Sequence, residues 1–138
     1  QLYSTYLSYL PEDDLVQPLV MHRDERGCFA ECVKSASAGQ VSVNVARPGV
    51  TKGGHWHQTK AETFFVVSGE GMIRLRKLGA DRVYEYAVSG EQPQAVTIPP
   101  GFIHDVTNTG TGDLLMLIWA SEVFDPQCPD TYAAKIDE

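Results

Sequence analysis

The stretch GVTKGGHWHQTKAETFFVVSG, Gly49 to Gly69, decides how this chain is read. Inside it His55 and His57 flank a single residue, and Glu62 follows after a gap of four. On an extended strand, side chains two positions apart share a face and lie about 6.6 Å apart along it, so both imidazoles can reach one ion. Gln58 to Ala61 supply a turn, after which Glu62 opens the next strand and faces back. One short hairpin thereby gathers two nitrogen ligands and one oxygen ligand. A fourth candidate, His104, follows the turn sequence Pro99-Pro100-Gly101.

Working outward, the apolar period is two from Leu15 onward, in short runs rich in Val, Ile, Phe, Tyr and Thr. They are Leu15 to Met21, Cys28 to Lys34, Gln40 to Arg47, Thr63 to Val67, Gly71 to Lys77 and Arg82 to Val88. Ala95 to Ile98, His104 to Asn108 and Leu114 to Ala120 complete the series, with Gly or Pro in nearly every gap. Many short strands at regular spacing predict an all-β sandwich or barrel. No helical pattern separates them, which excludes a doubly wound parallel sheet. Ahead of them Leu2, Tyr3, Tyr6, Leu7, Tyr9 and Leu10 recur at helical spacing and predict a short amphipathic helix ending before Pro11. Its apolar face needs a neighbour, in this domain, another subunit or an upstream domain. We divide the chain into a helix and linker over 1–14 and one domain over 15–138, with Phe124 to Glu138 as an extended tail of little regular structure.

The 138 residues suffice for one domain with a buried core. A net charge of -7 argues against nucleic acid or an anionic membrane as partner. The bases concentrate between His22 and Lys60, where Arg23, Arg26, Lys34, Arg47, Lys52 and Lys60 offer a positive field suited to a small anionic ligand. Cys28 and Cys32 would stand about 13 Å apart on one strand, too far for a disulfide, so reduced cysteines and a cytoplasmic protein are expected. No run of apolar residues is long enough to span a membrane. Gly69-Glu70-Gly71 lacks the third glycine and the following helix of a dinucleotide fingerprint, so no nicotinamide site is assigned. His22 carries no signal of its own. The first residue is Gln, which suggests a chain that begins inside a longer protein.

The Gly49 to Gly69 spacing, followed by Pro99-X-Gly101-X-X-His104 and then Asn108, resembles the two motifs of the cupin superfamily. The resemblance covers Leu15 to Ala120. It implies a double-stranded β-helix, or jelly-roll barrel, with His55, His57, Glu62 and His104 as ligands of a divalent metal. Three imidazoles and a carboxylate suit Zn, Fe, Mn, Ni or Co alike. The second motif departs at one place, where Pro93 replaces the glycine six positions before the first proline, and the hairpin there is expected to differ.

Asp24-Glu25-Arg26-Gly27-Cys28-Phe29-Ala30-Glu31 resembles a segment of the deoxythymidine-diphospho-4-keto-sugar 3,5-epimerases, themselves cupins. By that resemblance Arg26, Phe29 and Glu31 contact the nucleotide sugar. Lys52-Gly53-Gly54-His55-Trp56-His57 lies over the stretch holding those enzymes' base, with His55 at the base position. They need no metal, so His55 stays open between ligand and base. The N-terminal aromatic stretch and the tail from Phe124 to Tyr132 extend the likeness. Together with the motifs they resemble the C-terminal cupin domain of bifunctional capsular-polysaccharide enzymes that make UDP-N-acetyl-L-fucosamine precursors. That resemblance implies a zinc-dependent C3 epimerase of a UDP-2-acetamido-2,6-dideoxy-4-hexulose and an upstream NADPH-dependent short-chain reductase domain. A homodimer is expected as well. His55 or Lys60 then serves as base, Tyr132 or Tyr84 as acid, and Arg26, Arg47 and Lys52 hold the diphosphate. Two alternatives stand beside it: a metallocupin dioxygenase using the same four ligands, and a non-enzymatic metal- and sugar-binding cupin.

Overall fold

The computed structural model describes residues 2–11 and 18–138. Helix α1 spans Leu2–Leu7. The strands are β1 Met21–Asp24, β2 Gly27–Ser35, β3 Gly39–Ala46, β4 Thr51–Trp56, β5 Glu62–Ser68, β6 Glu70–Lys77, β7 Val83–Ser89, β8 Ala95–Ile98, β9 Phe102–Asn108, β10 Leu114–Ala120 and β11 Tyr132–Ala133. They form two antiparallel sheets, ordered β1-β2-β3-β10-β5-β8 and β11-β4-β9-β6-β7. This is the expected all-β jelly roll. Phe64, Val66, Ile73, Leu75, Val106, Leu114 and Met116 fill the space between the sheets, each at most 5% exposed.

Three readings change. The run from Leu15 to Met21 is not the first strand: residues 15–17 lie outside the described part, 18–20 are unpaired in any sheet, and β1 begins only at Met21. The two-residue turn Glu25-Arg26 sets that register, with Asp24 facing Gly27, and Asp24 caps it by accepting from Arg26 N at 2.9 Å. The helix stops at Leu7, short of Leu10, and Tyr6 and Tyr9 are exposed, so the described residues do not cover them. The boundary placed between residues 14 and 15 also falls outside the described residues. At the Pro93 departure the glycine role passes to Gly90, whose N–H donates to Gly69 O at 2.9 Å and whose Cβ would meet Ser68 Cα at 2.5 Å. The two backbones approach closely there.

The tail is not a loose end. β11 pairs with β4, Ala134 N donates to Gly54 O at 3.0 Å, and Ile136 is buried at 2% exposure. Arg76 donates to the main-chain oxygens of Lys135, Ile136 and Glu138, while Arg74 bridges the buried Asp105 and the exposed Asp137. A strap therefore crosses the outer face of the second sheet. It starts beside the metal-ligand candidates.

Candidate metal centre

β4 delivers His55, with His57 one residue past its end; β5 opens with Glu62, and β9 carries His104. On β5 the inward face runs Glu62, Phe64, Val66, so the carboxylate is the polar end of a core-facing row. The candidate ligand atoms of all four residues lie within 4.8 Å of one another. Glu62 Oε2 stands 3.2 Å from both His57 Nε2 and His104 Nε2. Four ligands at about 2.0–2.1 Å from a tetrahedral ion would stand roughly 3.4 Å apart, close to the two 3.2 Å separations from Glu62.

Proton placement supports the same use. His57 Nδ1 lies 2.6 Å from Asp130 O and His104 Nδ1 lies 3.2 Å from Phe102 O. A carbonyl only accepts, so each Nδ1 carries a proton, and in the neutral ring each Nε2 is then a lone pair free to bind a cation. Both Nε2 atoms are buried without a hydrogen-bond partner, at 3% and 1% residue exposure, and face a carboxylate. Converging buried acceptors of this kind are costly unless a cation lies between them. Burial, then the adjoining His104 and His57, pushes His55 down to about 4, which keeps its imidazole neutral.

A cavity of about 360 Å³ opens onto the cluster. Phe29 and Glu31 line it, as does Lys60, which is 7% exposed and donates from Nζ to Pro129 O at 3.2 Å. The other sequence candidates lie elsewhere. Arg26 is exposed at the β1–β2 turn, paired with Asp24 at 2.6 Å, and the Arg47 N–H donates to Arg26 O, placing both at the far end of β2 and β3. Lys52 Nζ is engaged by Asn44 Oδ1 and Val45 O, each at 2.8 Å, and burial lowers its pKa. Tyr132 stacks on Trp56 at 4.7 Å, and Trp56 alternates with His55 and His57, so both rings sit outside the barrel. Tyr84 is half-exposed beneath Arg82.

Two features of the cavity wall lie beyond the strand periodicity of the sequence. His22 lines the cavity because β1 pairs it directly with Phe29; recognising the Glu25-Arg26 turn would have placed it there. β3 is inverted relative to its hydropathy: Gln40, Ser42 and Asn44 are buried while Val41, Val43 and Val45 face outward, half-buried. Gln40 and Ser42 therefore wall the cavity with hydrogen-bonding groups.

Contrary to the expectation, His55, His57 and Glu62 do not share a hairpin, because β4 and β5 lie in different sheets and face each other across the barrel. Two sheets closed around candidate ligands drawn from both, with a cavity over the cluster, define a cupin. Within that class the chain belongs to the family described as the polysaccharide biosynthesis C-terminal domain, whose profile matches residues 22–132. It is 47% identical over 137 residues to the UDP-2-acetamido-2,6-beta-L-arabino-hexul-4-ose reductase of Pseudomonas aeruginosa, covering 99% of this chain and 37% of that protein. The crystal structure of the capsular polysaccharide assembling protein CapF from Staphylococcus aureus matches with TM-score 0.91 at 51% identity, over 97% of this chain and 39% of that one. The 3'-monoepimerase ChmJ from Streptomyces bikiniensis shares the fold, with TM-score 0.62 at 21% identity over 85% of this chain and 67% of its own. The chain thus spans under two fifths of the length of the first two relatives. Among the described residues no helix is long and apolar enough to cross a membrane.

Proposed function

We propose that this domain inverts C3 of a UDP-linked 2-acetamido-2,6-dideoxy-4-hexulose, using a divalent cation, zinc, held by His55, His57, Glu62 and His104. The observation that carries it is the pair of buried, unpartnered Nε2 atoms turned toward Glu62 at the floor of an open cavity. The names of the hexulose reductase and of the capsular protein supply the substrate class.

When bound, the cation supplies Lewis acidity next to the C4 oxygen. The chain's own residues do the rest. A proton leaves C3 for a base, its electron pair moves toward the C4 oxygen, and a proton returns to C3 from the opposite face, so no atom is gained or lost. Because His55 is proposed as a ligand, Lys60 is the proton-exchanging group proposed at the cavity, with His55 as base only if it leaves the ion. Phe29 and His22 pack the sugar and Glu31 accepts from its hydroxyls. Arg26 and Arg47 are proposed for the diphosphate; Lys52, already engaged, tethers the two sheets.

In the longer protein an NADPH-dependent short-chain reductase domain is proposed upstream, to reduce the C4 ketone. A homodimer is proposed through the outer face of the first sheet, where Phe65, Val67, Leu117 and Trp119 are 36–46% exposed beside the outward valines of β3.

The test is to incubate zinc-loaded protein with the 4-keto sugar nucleotide in heavy water and follow C3 by NMR. Deuterium at C3 with inversion is expected. A loaded protein that leaves C3 protonated sinks the proposal.

A further inference from the structure

One residue outside the ligand set holds two parts of the site at once. The main-chain oxygen of Asp130 accepts from His57 Nδ1 at 2.6 Å. Its carboxylate accepts from the N–H groups of Gln58, Thr59 and Lys60 at 2.8, 3.0 and 3.0 Å, and from Thr59 Oγ1 at 3.1 Å. Those three residues form the turn between the ligands His57 and Glu62, and the turn ends on Lys60. Asp130 is also the one non-glycine residue with positive φ among those described, at +44°. That left-handed conformation is open to Asp and Asn but disfavoured for most side chains, and it persists where surrounding contacts over-determine it. Here the contacts are the turn and the His57 ring.

We propose that Asp130 is a positioning residue for the metal centre. Its carbonyl selects the His57 tautomer that presents Nε2 as a lone pair, and its carboxylate fixes the turn that sets how far His57 stands from Glu62. The inference rests on the metal reading above. The two functions are coupled, because the carbonyl stays under His57 only while the side chain pins its residue to the turn. Partners that orient a ligating imidazole commonly contribute about 10- to 100-fold in metal affinity. The link also explains why the strap carries so many contacts. Arg76 on the strap's last residues and Arg74 on Asp137 hold down the segment that begins at Asp130.

The experiment titrates Zn²⁺ into metal-stripped protein against a chromophoric chelator, for the wild type and for Asp130→Ala, Asp130→Gly and Asp130→Asn. Melting temperatures of the stripped proteins and ¹⁵N shifts of the His57 ring are read in parallel. Asp130→Ala and Asp130→Gly are expected to lower zinc affinity by about 10- to 100-fold. Asp130→Asn, which keeps the left-handed backbone and one acceptor oxygen, should lose less. The wild-type ring should show the Nδ1–H tautomer without metal, and Asp130→Ala should lose it. Variants that melt lower yet bind zinc within about threefold of the wild type would make Asp130 scaffold alone and overturn the proposal. A wild type that binds no zinc overturns the metal reading beneath it. A wild-type His57 protonated on Nε2 overturns the tautomer argument whatever the affinities. Should Asp130→Ala not fold, Asp130→Asn and Asp130→Gly carry the comparison.

Discussion

His55 and His104 stand directly opposite each other across the β4–β9 pair, their ring centroids 4.6 Å apart. Regular pairing does not put them there. Gly53 faces Asp105, so Gly54 would face His104, and one extra residue in β4 turns His55 into that place instead. Gly53 and Gly54 have φ of +101° and +74°, and a Cβ on Gly53 would lie 2.8 Å from His104 O and 2.9 Å from Asp105 Cα. Gly53→Ala should therefore displace a ligand strand and cost about 1–3 kcal/mol. Thermal unfolding of the metal-free variant checks the cost, and a melting point equal to the wild type's would contradict it.

Metal removal should be visible as a loss of stability. A ligand that binds only the folded state stabilises by about 2.7 kcal/mol at one hundred times its dissociation constant. Dialysis against a chelator should lower the melting temperature, and zinc should restore it. In Glu62→Gln and His104→Ala the restoration should vanish. Zinc that raised the melting temperature of Glu62→Gln as much as that of the wild type would place the ion elsewhere.

A change at Lys60 should separate chemistry from metal binding. Lys60→Met keeps most of the buried stem and removes the ammonium. We expect C3 deuterium exchange to fall by about 10²- to 10⁴-fold, the range for a general acid or base, with zinc content unchanged. Exchange at the wild-type rate would hand the proton to another group, His55 first.

His22 should act on substrate and not on the ion. It faces Phe29 on an exposed edge strand, so His22→Ala should leave stability within about 0.5 kcal/mol and zinc stoichiometry intact. The expected change is a higher KM for the sugar nucleotide. An unchanged KM would remove His22 from the binding wall.

The outer valine face predicts its own behaviour. Leu117 sits between Val43 and Phe65 in the sheet, so Leu117→Lys puts a charge in the middle of the exposed apolar surface. Light scattering should show a dimer for the wild type and a monomer for this variant. A monomeric wild type would leave that surface without a second copy.

The jelly roll was legible because strand period, Gly and Pro punctuation and the spacing of His55, His57 and Glu62 are all local. Ala95 to Ile98 and Leu114 to Ala120 begin and end where the sequence places them, since turn residues bound both. β1 was misplaced because Pro18 has no N–H to give a ladder and the Glu25-Arg26 turn dominates the register. β3 was readable as a strand but not as to its inward face. Alternation tells two faces apart and hydropathy ranks them, yet here the polar face turns inward because it walls a cavity and the apolar face turns out.

Residue spacing alone establishes the candidate ligand set and the barrel that can carry it, since side chains two apart on a strand share a face wherever the strand lies. How those side chains are aimed is set by long-range strand pairing. The extra residue at Gly54 appears only when β4 pairs with β9, and Asp130 reaches His57 across 73 residues because the tail closes over the second sheet. Both depend on long-range register, which no local pattern encodes.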